Sequence, residues 1–161
     1  MAPILHLSRK LVQEPLVEPI ADVAIRTYAS ESDIDRWIEL RTKSFADQAP
    51  AVRPWTRADF AAEFLDKPWW SPERMWFAEA ESVVGSVTLA FRGPKGKQTP
   101  VVHWLIVLPD RRRRGIGTLL MATLELACWN AGHRRIALET HAGWSAAETF
   151  YRGLGYKRDD T

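Results

Sequence analysis

The chain has 161 residues, the length of one domain with an ordinary core, and its 46% apolar and 26% charged residues exclude a disordered or membrane-embedded class. Its 22 basic and 20 acidic residues leave a net charge of +2, which argues against a protein built around a polyanion. A single cysteine, Cys128, excludes an internal disulfide, and no apolar run approaches the ~20 residues that span a bilayer, so we expect a cytoplasmic protein without membrane or nucleic-acid partners.

The first stretch of the chain lacks a regular pattern. Residues 1–21 hold three prolines among scattered apolar residues, which favours irregular backbone. We therefore expect an N-terminal arm over residues 1–21, followed by one folded domain over residues 22–161. A strand is predicted at the start of that domain, over residues 23–28, from its β-branched and aromatic residues.

Two helices are predicted next. Residues 33–45 follow a helical stripe, and Ser30 and Ser32 are candidate N-caps with an acidic residue in the first turn. The second helix is predicted over residues 57–65. Thr56, with an aspartate three residues later, has the pattern of a capping box.

From residue 75 onward the pattern changes to strands. The continuous apolar run at 101–108 is typical of a strand in the middle of a sheet. The predicted elements of this half are strands 75–80, 83–91 and 101–108, helix 115–131, strand 135–140, and a helix that begins at the capping box of Ser145 and Glu148 and ends at 154–155.

The junction between strand 101–108 and the following helix carries the strongest chemical signal. A buried strand leads into a basic loop with two glycines, Gly115 and Gly117, and the loop opens a helix. The free N–H groups and the dipole of a helix N-terminus favour an anion, and glycines let phosphate oxygens approach the backbone. Residues 112–114 add three arginines and Thr118 adds a hydroxyl donor, so the loop is suited to a diphosphate.

Several other phosphate-binding sites are weaker matches. A P-loop needs a Gly-Lys-Ser/Thr ending that is absent, and a dinucleotide fingerprint needs a third glycine where this chain has Leu120. The four arginines at 111–114 alternatively form a solvated basic loop or a nucleic-acid patch. Residues 81–161 carry a net charge of +5 against −3 for residues 1–80, which suits a small anion in the second half.

Two segments together resemble the Gcn5-related N-acetyltransferases (GNAT). The run Arg112-x-x-Gly115-x-Gly117, after a strand that ends in Val107-x-Pro109, resembles the coenzyme A motif of that family. The run Ala147-x-x-Phe150-Tyr151-x-x-Leu154-Gly155-Tyr156 resembles a second family segment, in the same order and spacing. The resemblance implies a single α/β (α+β) domain with a mixed, mostly antiparallel sheet in the order β-α-α-β-β-β-α-β-α-β.

The resemblance also implies a donor and a reaction. It implies acetyl-CoA as co-substrate, no metal, and direct attack of a primary amine on the thioester, with Tyr151 protonating the departing thiolate. The resemblance further implies that strand 101–108 diverges from its neighbour and that its backbone forms hydrogen bonds with the pantetheine arm. The loop after it would bind the diphosphate. The residues implied in binding the donor are Leu105, Ile106, Val107, Arg112, Arg113, Arg114, Gly115, Ile116, Gly117 and Thr118.

His103 is a candidate general base for the amine. Histidine is the side chain whose ordinary pKa lies nearest neutral pH, and the position of His103 resembles that of a histidine of arylalkylamine N-acetyltransferases. Strand alternation predicts Leu105 on the same face. The alternative is a core histidine satisfied by a neighbour.

Aromatic residues near the helical pair are candidates for binding the amine. Trp55, Trp69 and Trp70 lie in or beside loops that cover the acceptor in the resembled family, and they suit an amine with an apolar or aromatic body. Glu139 is a further candidate at the end of a strand. Tryptophans that pack a core under a loop are the alternative.

Two departures from the family and two rival functions stay open. The family often has asparagine where this chain has Trp144, and it continues through one more strand after residue 159. We expect the place of that strand to be taken by the N-terminal arm, by a partner subunit in a homodimer, or by nothing. The rival functions are a catalytically silent acyl-CoA sensor and a nucleic-acid-binding module that uses the arginines.

Overall fold

The computed structural model describes residues 3–46, 53–142 and 145–159. One sheet of seven strands, in the order β2-β3-β4-β5-β6-β1-β7, carries helices on both faces. Every strand pair is antiparallel except β5 with β6, which confirms the predicted mixed sheet. The strands are β1 (Ile4–Lys10), β2 (Ala24–Thr27), β3 (Met75–Ala80), β4 (Ser82–Arg92), β5 (Thr99–Val107), β6 (Arg135–His141) and β7 (Lys157–Arg158); the helices are α1 (Ser32–Ser44), α2 (Arg57–Phe60), α3 (Ile116–Asn130) and α4 (Ser145–Gly153).

The N-terminal segment is part of the sheet. Strand β1 pairs along its length with β6, from Ile4 opposite His141 to Lys10 opposite Arg135. The expectation of an irregular lead-in is therefore wrong for these residues, because alternation places Leu7 in the core and its backbone finds a partner strand. The arm takes the place beside β6, the first of the three expected alternatives, and the short β7 pairs with its other edge.

The two predicted N-termini in the first half have different outcomes. Thr56 and Asp59 form a complete capping box, as predicted. At α1 the prediction of a serine cap is wrong, because Glu31 occupies the cap position and no side chain caps the helix. The buried carboxylate of Asp33 instead accepts hydrogen bonds from the Ala29 N–H, Arg26 and Arg36. Burial alone would raise the pKa of Asp33, but these bonds hold it well below its ordinary value.

Each face of the sheet has its own apolar cluster. The larger cluster packs α3 and α4 against the sheet, and Leu120 and Leu124 are among its fully buried members. The smaller cluster packs α1 and α2 against the other face and is dominated by aromatic rings. A Cβ on Gly85 of β4 would lie 3.1 Å from the Leu120 Cδ1 atom, so the missing side chain lets α3 lie close to the sheet.

A buried polar network ties the N-terminal strand to α3. Arg9 donates to both oxygens of Glu125 at 3.0 Å, and the Tyr156 hydroxyl donates to Glu125 Oε2 at 2.8 Å. Glu125 is 4% exposed, so these donors replace water around its charge. Cys128, one turn further along α3, is a buried core residue as predicted, and burial raises the pKa of its thiol to about 12.

Replacement of Glu125 by alanine is expected to lower the free energy of unfolding by about 2–3 kcal/mol, because it leaves Arg9 and the Tyr156 hydroxyl without their partner. Arg9 is partly exposed, which places the effect below that of a fully buried pair. Urea denaturation measures it. The control is Glu39→Ala, which removes an exposed carboxylate paired with Lys43 and should change stability by less than about 0.5 kcal/mol. A loss for Glu125→Ala as small as the control's would contradict the prediction.

Within the described residues, no helix is long and apolar enough to cross a membrane. Trp144 and the side chain of Ser145, which the sequence analysis singles out, lie outside what the structure describes.

Candidate active site

A bulge in strand β5 sets the geometry of the site. Ser86 pairs with Ile106 and Thr88 with His103, so Trp104 and Leu105 together oppose Val87. Trp104 has a φ of 55°, a left-handed conformation that is rare for a residue with a side chain. The extra residue changes the alternation, and this is the reason the predicted shared face of His103 and Leu105 is wrong. Leu105 packs with the α3 cluster, whereas Trp104 packs with the α1 cluster and His103 contacts its Phe64 ring.

Strands β5 and β6 are parallel neighbours that pair through Val101 and Ala137. Beyond this pair the residues of β5 that the sequence analysis assigns to the donor, Leu105 to Val107, belong to no described pairing with β6. Their backbone toward β6 is therefore unpaired among the described strand pairings, except at one carbonyl. The carbonyl of Val107 accepts a hydrogen bond from the Arg112 Nε atom at 3.1 Å.

The loop after β5 is held in place by Arg112. Besides the bond to Val107, Arg112 donates to the carbonyl of Ser44 at 3.2 Å, which ties the loop to the end of α1. Arg113 and Gly115 both have left-handed φ angles, of 64° and 84°. Gly115 caps α3 in that conformation, which a glycine adopts without strain, and the first-turn N–H groups of α3 follow it.

Gly117 serves helix packing. A Cβ at this position would lie 3.2 Å from the Phe150 Cζ atom and 3.8 Å from the Val107 Cγ2 atom. The sequence analysis assigns the missing side chain to phosphate approach, whereas in the structure the cleared space faces the ring of Phe150. The contact brings the two motifs of the sequence together, since Phe150 belongs to α4 and Gly117 to the first turn of α3.

Tyr151 lies beside this contact. Its ring centroid is 5.3 Å from that of Phe150 and 6.0 Å from that of Tyr156, and it packs against the α3 cluster. Burial raises the pKa of the Tyr151 hydroxyl. The phenol therefore stays protonated at neutral and mildly alkaline pH, which is the state a general acid requires.

His103 is on the opposite face of the sheet. Its Nε2 atom is buried and lies 3.0 Å from Oε1 of Glu63, a close contact that does not meet the geometry of a hydrogen bond. The same Oε1 atom accepts a hydrogen bond from the Trp104 Nε1–H at 3.1 Å. The His103 contact, and then the Trp104 bond, hold the pKa of Glu63 below its ordinary value against the opposing effect of burial.

Glu63 reaches this position from an irregular helix. The predicted helix 57–65 is α-helical over Arg57–Phe60 and then widens to a π-helix over Ala61–Leu65. Such π-turns are rare in proteins, and those that occur are frequently found at functional sites. The sequence analysis misses Glu63 and Trp104, because a lone glutamate in an amphipathic helix and an aromatic residue in an apolar strand carry no local signal of their meeting.

The three candidate tryptophans separate into two groups. Trp69 lies 5.5 Å from His103, and Trp55 lies 5.4 Å from Trp104, both measured between ring centroids. Trp70 instead packs edge-on against Tyr28 at 5.3 Å. Two of the three candidates therefore border the His103–Glu63–Trp104 group, and all three also pack in the α1 cluster.

Glu139 is paired with charged neighbours. Arg92 donates to its Oε1 atom at 2.5 Å, and the His6 Nδ1 atom lies 3.8 Å from the same oxygen. Its charge is thus partly balanced by residues of β4 and β1. In the described ranges, with their gaps at 47–52 and 143–144, no cluster of three or more histidine, cysteine or acidic residues has the geometry of a metal site.

Comparison with known proteins identifies relatives of the sequence. The profile of the acetyltransferase (GNAT) family matches residues 34–156. A mycothiol acetyltransferase of Salinispora arenicola is 30% identical over 158 residues, which cover 94% of this chain and 49% of that protein. The chain spans about half the length of the curated relatives it matches.

Solved structures share the fold. A GCN5-related N-acetyltransferase from Sphaerobacter thermophilus superposes with a TM-score of 0.74 at 20% identity, over 97% of this chain and 48% of the other. AAC(6')-Iy, in complex with the bisubstrate analogue CoA-S-monomethyl-acetylneamine, superposes with a TM-score of 0.65 at 19% identity, over 86% of this chain and 93% of the other.

Proposed function

The chain belongs to the acetyltransferase (GNAT) family, and we propose that it transfers an acetyl group from acetyl-CoA to a primary amine. The observation that carries the proposal is the edge of β5 that is free of β6 and runs into the arginine-rich loop at the N-terminus of α3. In this proposal residues 22–161 form the acetyltransferase domain, and β1 completes its sheet.

The proposed donor site fits a diphosphate ending in an extended arm. Gly115 turns the chain so that the first-turn N–H groups of α3 are free, and Arg113 and Arg114 are exposed beside them. Arg112 fixes the loop through Val107 and Ser44 and contributes its backbone to the turn. The free edge of β5 near Leu105 and Val107 supplies the backbone groups for the pantetheine.

The proposed reaction uses a group from each face of the sheet. His103 takes a proton from the acceptor ammonium, the amine nitrogen forms a bond to the thioester carbon, and the carbon–sulfur bond breaks. Tyr151 gives its proton to the departing thiolate and recovers one from solvent, while the nitrogen loses its second proton to solvent as the amide forms and His103 releases the proton it took. Since His103 and Tyr151 lie on opposite faces, the amine approaches from the α1 side while the thiolate is protonated from the α4 side.

The proposed acceptor is an amine with an aromatic or apolar body. Trp55, Trp69 and Trp70 are the candidate contacts, of which Trp69 borders His103 and Trp55 borders Trp104. Glu139 remains a candidate for a polar group of the acceptor. A substrate panel with turnover confined to polar aminoglycosides or acidic peptides would contradict this choice of acceptor.

The test of the donor is the melting temperature with and without acetyl-CoA, coenzyme A, ATP and NAD at equal concentrations. A ligand that binds only the folded state stabilises it by about 2.7 kcal/mol at 100 times its Kd. We expect a rise with acetyl-CoA and coenzyme A alone. Amine-dependent release of free thiol then separates an enzyme from a silent acyl-CoA sensor, which would show the thermal shift without turnover.

The double variant Arg113→Ser/Arg114→Ser is expected to raise the Kd of acetyl-CoA roughly tenfold, because two exposed charge contacts to the diphosphate are each worth about 0.5–1 kcal/mol. Isothermal titration at low and high salt measures it. The control, Lys95→Ser/Lys97→Ser, removes the same charge from the exposed β4–β5 turn and should leave the Kd unchanged. An equal loss of affinity in both double variants would mean that the net charge of the protein, and not contact with the diphosphate, determines the affinity.

A further inference from the structure

We propose that Glu63, with Trp69 and Trp104, forms a cation subsite that receives the protonated amino group of an aromatic amine. The inference rests on the proposed function, since it names the anchor of the acceptor within the same site. It also assigns a role to a residue that neither motif of the sequence contains.

The Glu63 carboxylate is held by one oxygen only. His103 Nε2 and Trp104 Nε1 both lie against Oε1, at 3.0 and 3.1 Å. Among the described residues, no hydrogen bond involves Oε2. The side chain is 34% exposed, so a fixed carboxylate presents one oxygen to an incoming donor.

Aromatic rings stand around His103, the residue in contact with Glu63. The ring of Trp69 stands nearly perpendicular to that of His103 at 5.5 Å, and Trp104 stands nearly perpendicular to His103 at 6.5 Å. A carboxylate flanked by tryptophan rings attracts a cation through charge and through the ring faces, and the rings bury its apolar body.

Two rare backbone features produce this meeting. The bulge in β5 turns His103 and Trp104 to one face, with Trp104 at a φ of 55°. The π-turn over Ala61–Leu65 carries Glu63. The left-handed φ of Trp104 is unfavourable for a residue with a side chain, and both this conformation and the rare π-turn cluster at functional sites. Their convergence on a single carboxylate oxygen is the second, independent mark of a binding site.

The charges near the subsite favour an ionised carboxylate. The His103 contact lowers the pKa of Glu63, and Lys67 on the turn after the π-helix acts in the same direction. Arg41 is the other nearby cation, and its guanidinium stacks on Trp55 at 4.5 Å, with Trp104 at 5.8 Å. Among the described residues the Oε2 atom of Glu63 has no hydrogen-bond partner, so an ammonium can pair with it.

The experiment is calorimetric titration of 2-phenylethylammonium into the protein saturated with coenzyme A, so that no acetyl group is transferred. The neutral isostere 2-phenylethanol is titrated in parallel. The variants are Glu63→Gln, which keeps the shape and the acceptor for Trp104, and the control Glu39→Gln, which removes an exposed charge on α1. We expect the ammonium to bind the wild type and the control equally. Its affinity for Glu63→Gln, and the affinity of the alcohol for the wild type, should each be lower by about tenfold or more.

Equal affinity of the ammonium for the wild type and Glu63→Gln, or no binding to either, would overturn the inference. A second measurement, acetyl transfer to the same amine, distinguishes a failure of the subsite from a failure of the proposed function. An affinity that depends on Glu63, without any acetyl transfer, would support the subsite and contradict the proposed acetyltransferase activity. Acetyl transfer with unchanged kcat and KM in Glu63→Gln would support the proposed activity and contradict the subsite. A melting temperature of Glu63→Gln within a few degrees of the wild type shows that the variant is folded.

Discussion

Replacement of Tyr151 by phenylalanine is expected to lower kcat by about 100-fold while the Kd of acetyl-CoA stays unchanged. The variant keeps the ring that packs against Phe150 and Tyr156 and loses only the hydroxyl that we propose as the proton donor to the leaving thiolate. Steady-state kinetics with saturating amine, together with titration of acetyl-CoA, separates the chemical step from binding of the donor. An unchanged kcat, under conditions in which chemistry limits the rate, would remove Tyr151 from the mechanism.

The pH dependence of this effect has a definite sign. An acid is lost as the pH rises through its pKa, and burial raises the pKa of Tyr151 above the ordinary value of about 10. The ratio of wild-type to variant rates should therefore stay constant between about pH 7 and about pH 9. The control is Tyr156→Phe, which removes a hydroxyl from the neighbouring ring and its bond to Glu125. It should lower the melting temperature and leave kcat within about twofold.

The sequence predicts the strands between residues 75 and 107 and the helix after the arginine-rich loop well, because both depend on local patterns. Strand 75–80 is observed as predicted, and the central strand differs from its predicted bounds by two residues at its start and one at its end. An apolar run bounded by turn residues fixes such an element whatever its neighbours are. The left-handed conformation at Gly115 and the helix that follows it are likewise encoded within a few residues.

The features that the sequence does not predict all depend on distant contacts. Strand β1 pairs residue 4 with residue 141, but it has few apolar residues and lies in a stretch with three prolines, so the local pattern indicates a loop. The serines before α1 are good caps by local rules, but Asp33 is fixed there by Arg26 of β2. The bulge in β5 and the π-turn after α2 depend on how the strand packs against the helix. Together they bring Glu63 into contact with His103.

The aromatic cluster under α1 connects the stability of the fold to the acceptor side of the site. Trp37 is fully buried at its centre, with ring centroids of Phe64, Trp55 and Trp104 at 4.9, 5.1 and 5.4 Å. Trp55 and Trp104 border the proposed acceptor site, and they rest on the Trp37 ring. Removal of that ring should therefore affect both the free energy of unfolding and the binding of the amine.

Replacement of Trp37 by alanine is expected to lower the free energy of unfolding by about 3–5 kcal/mol, the range for loss of a buried indole. Trp37→Phe should be much milder, at about 1–2 kcal/mol, because the indole N–H is buried and finds no hydrogen-bond acceptor among the described residues. Urea denaturation of both variants measures the difference. Equal losses would mean that the N–H has an acceptor in solution.

The kinetic consequence of Trp37→Phe follows from the same geometry. Phenylalanine is smaller than tryptophan, so Trp55 and Trp104 lose part of their support and the KM of an aromatic amine should rise several-fold. Gly115 and the arginines of the donor loop do not contact this ring, so the Kd of acetyl-CoA should stay as in the wild type. A rise in both constants would indicate that the cluster shapes the whole sheet, and a rise in neither would place the acceptor away from Trp55 and Trp104. A rise confined to the amine would localise the acceptor to the face of the sheet that α1 and α2 cover.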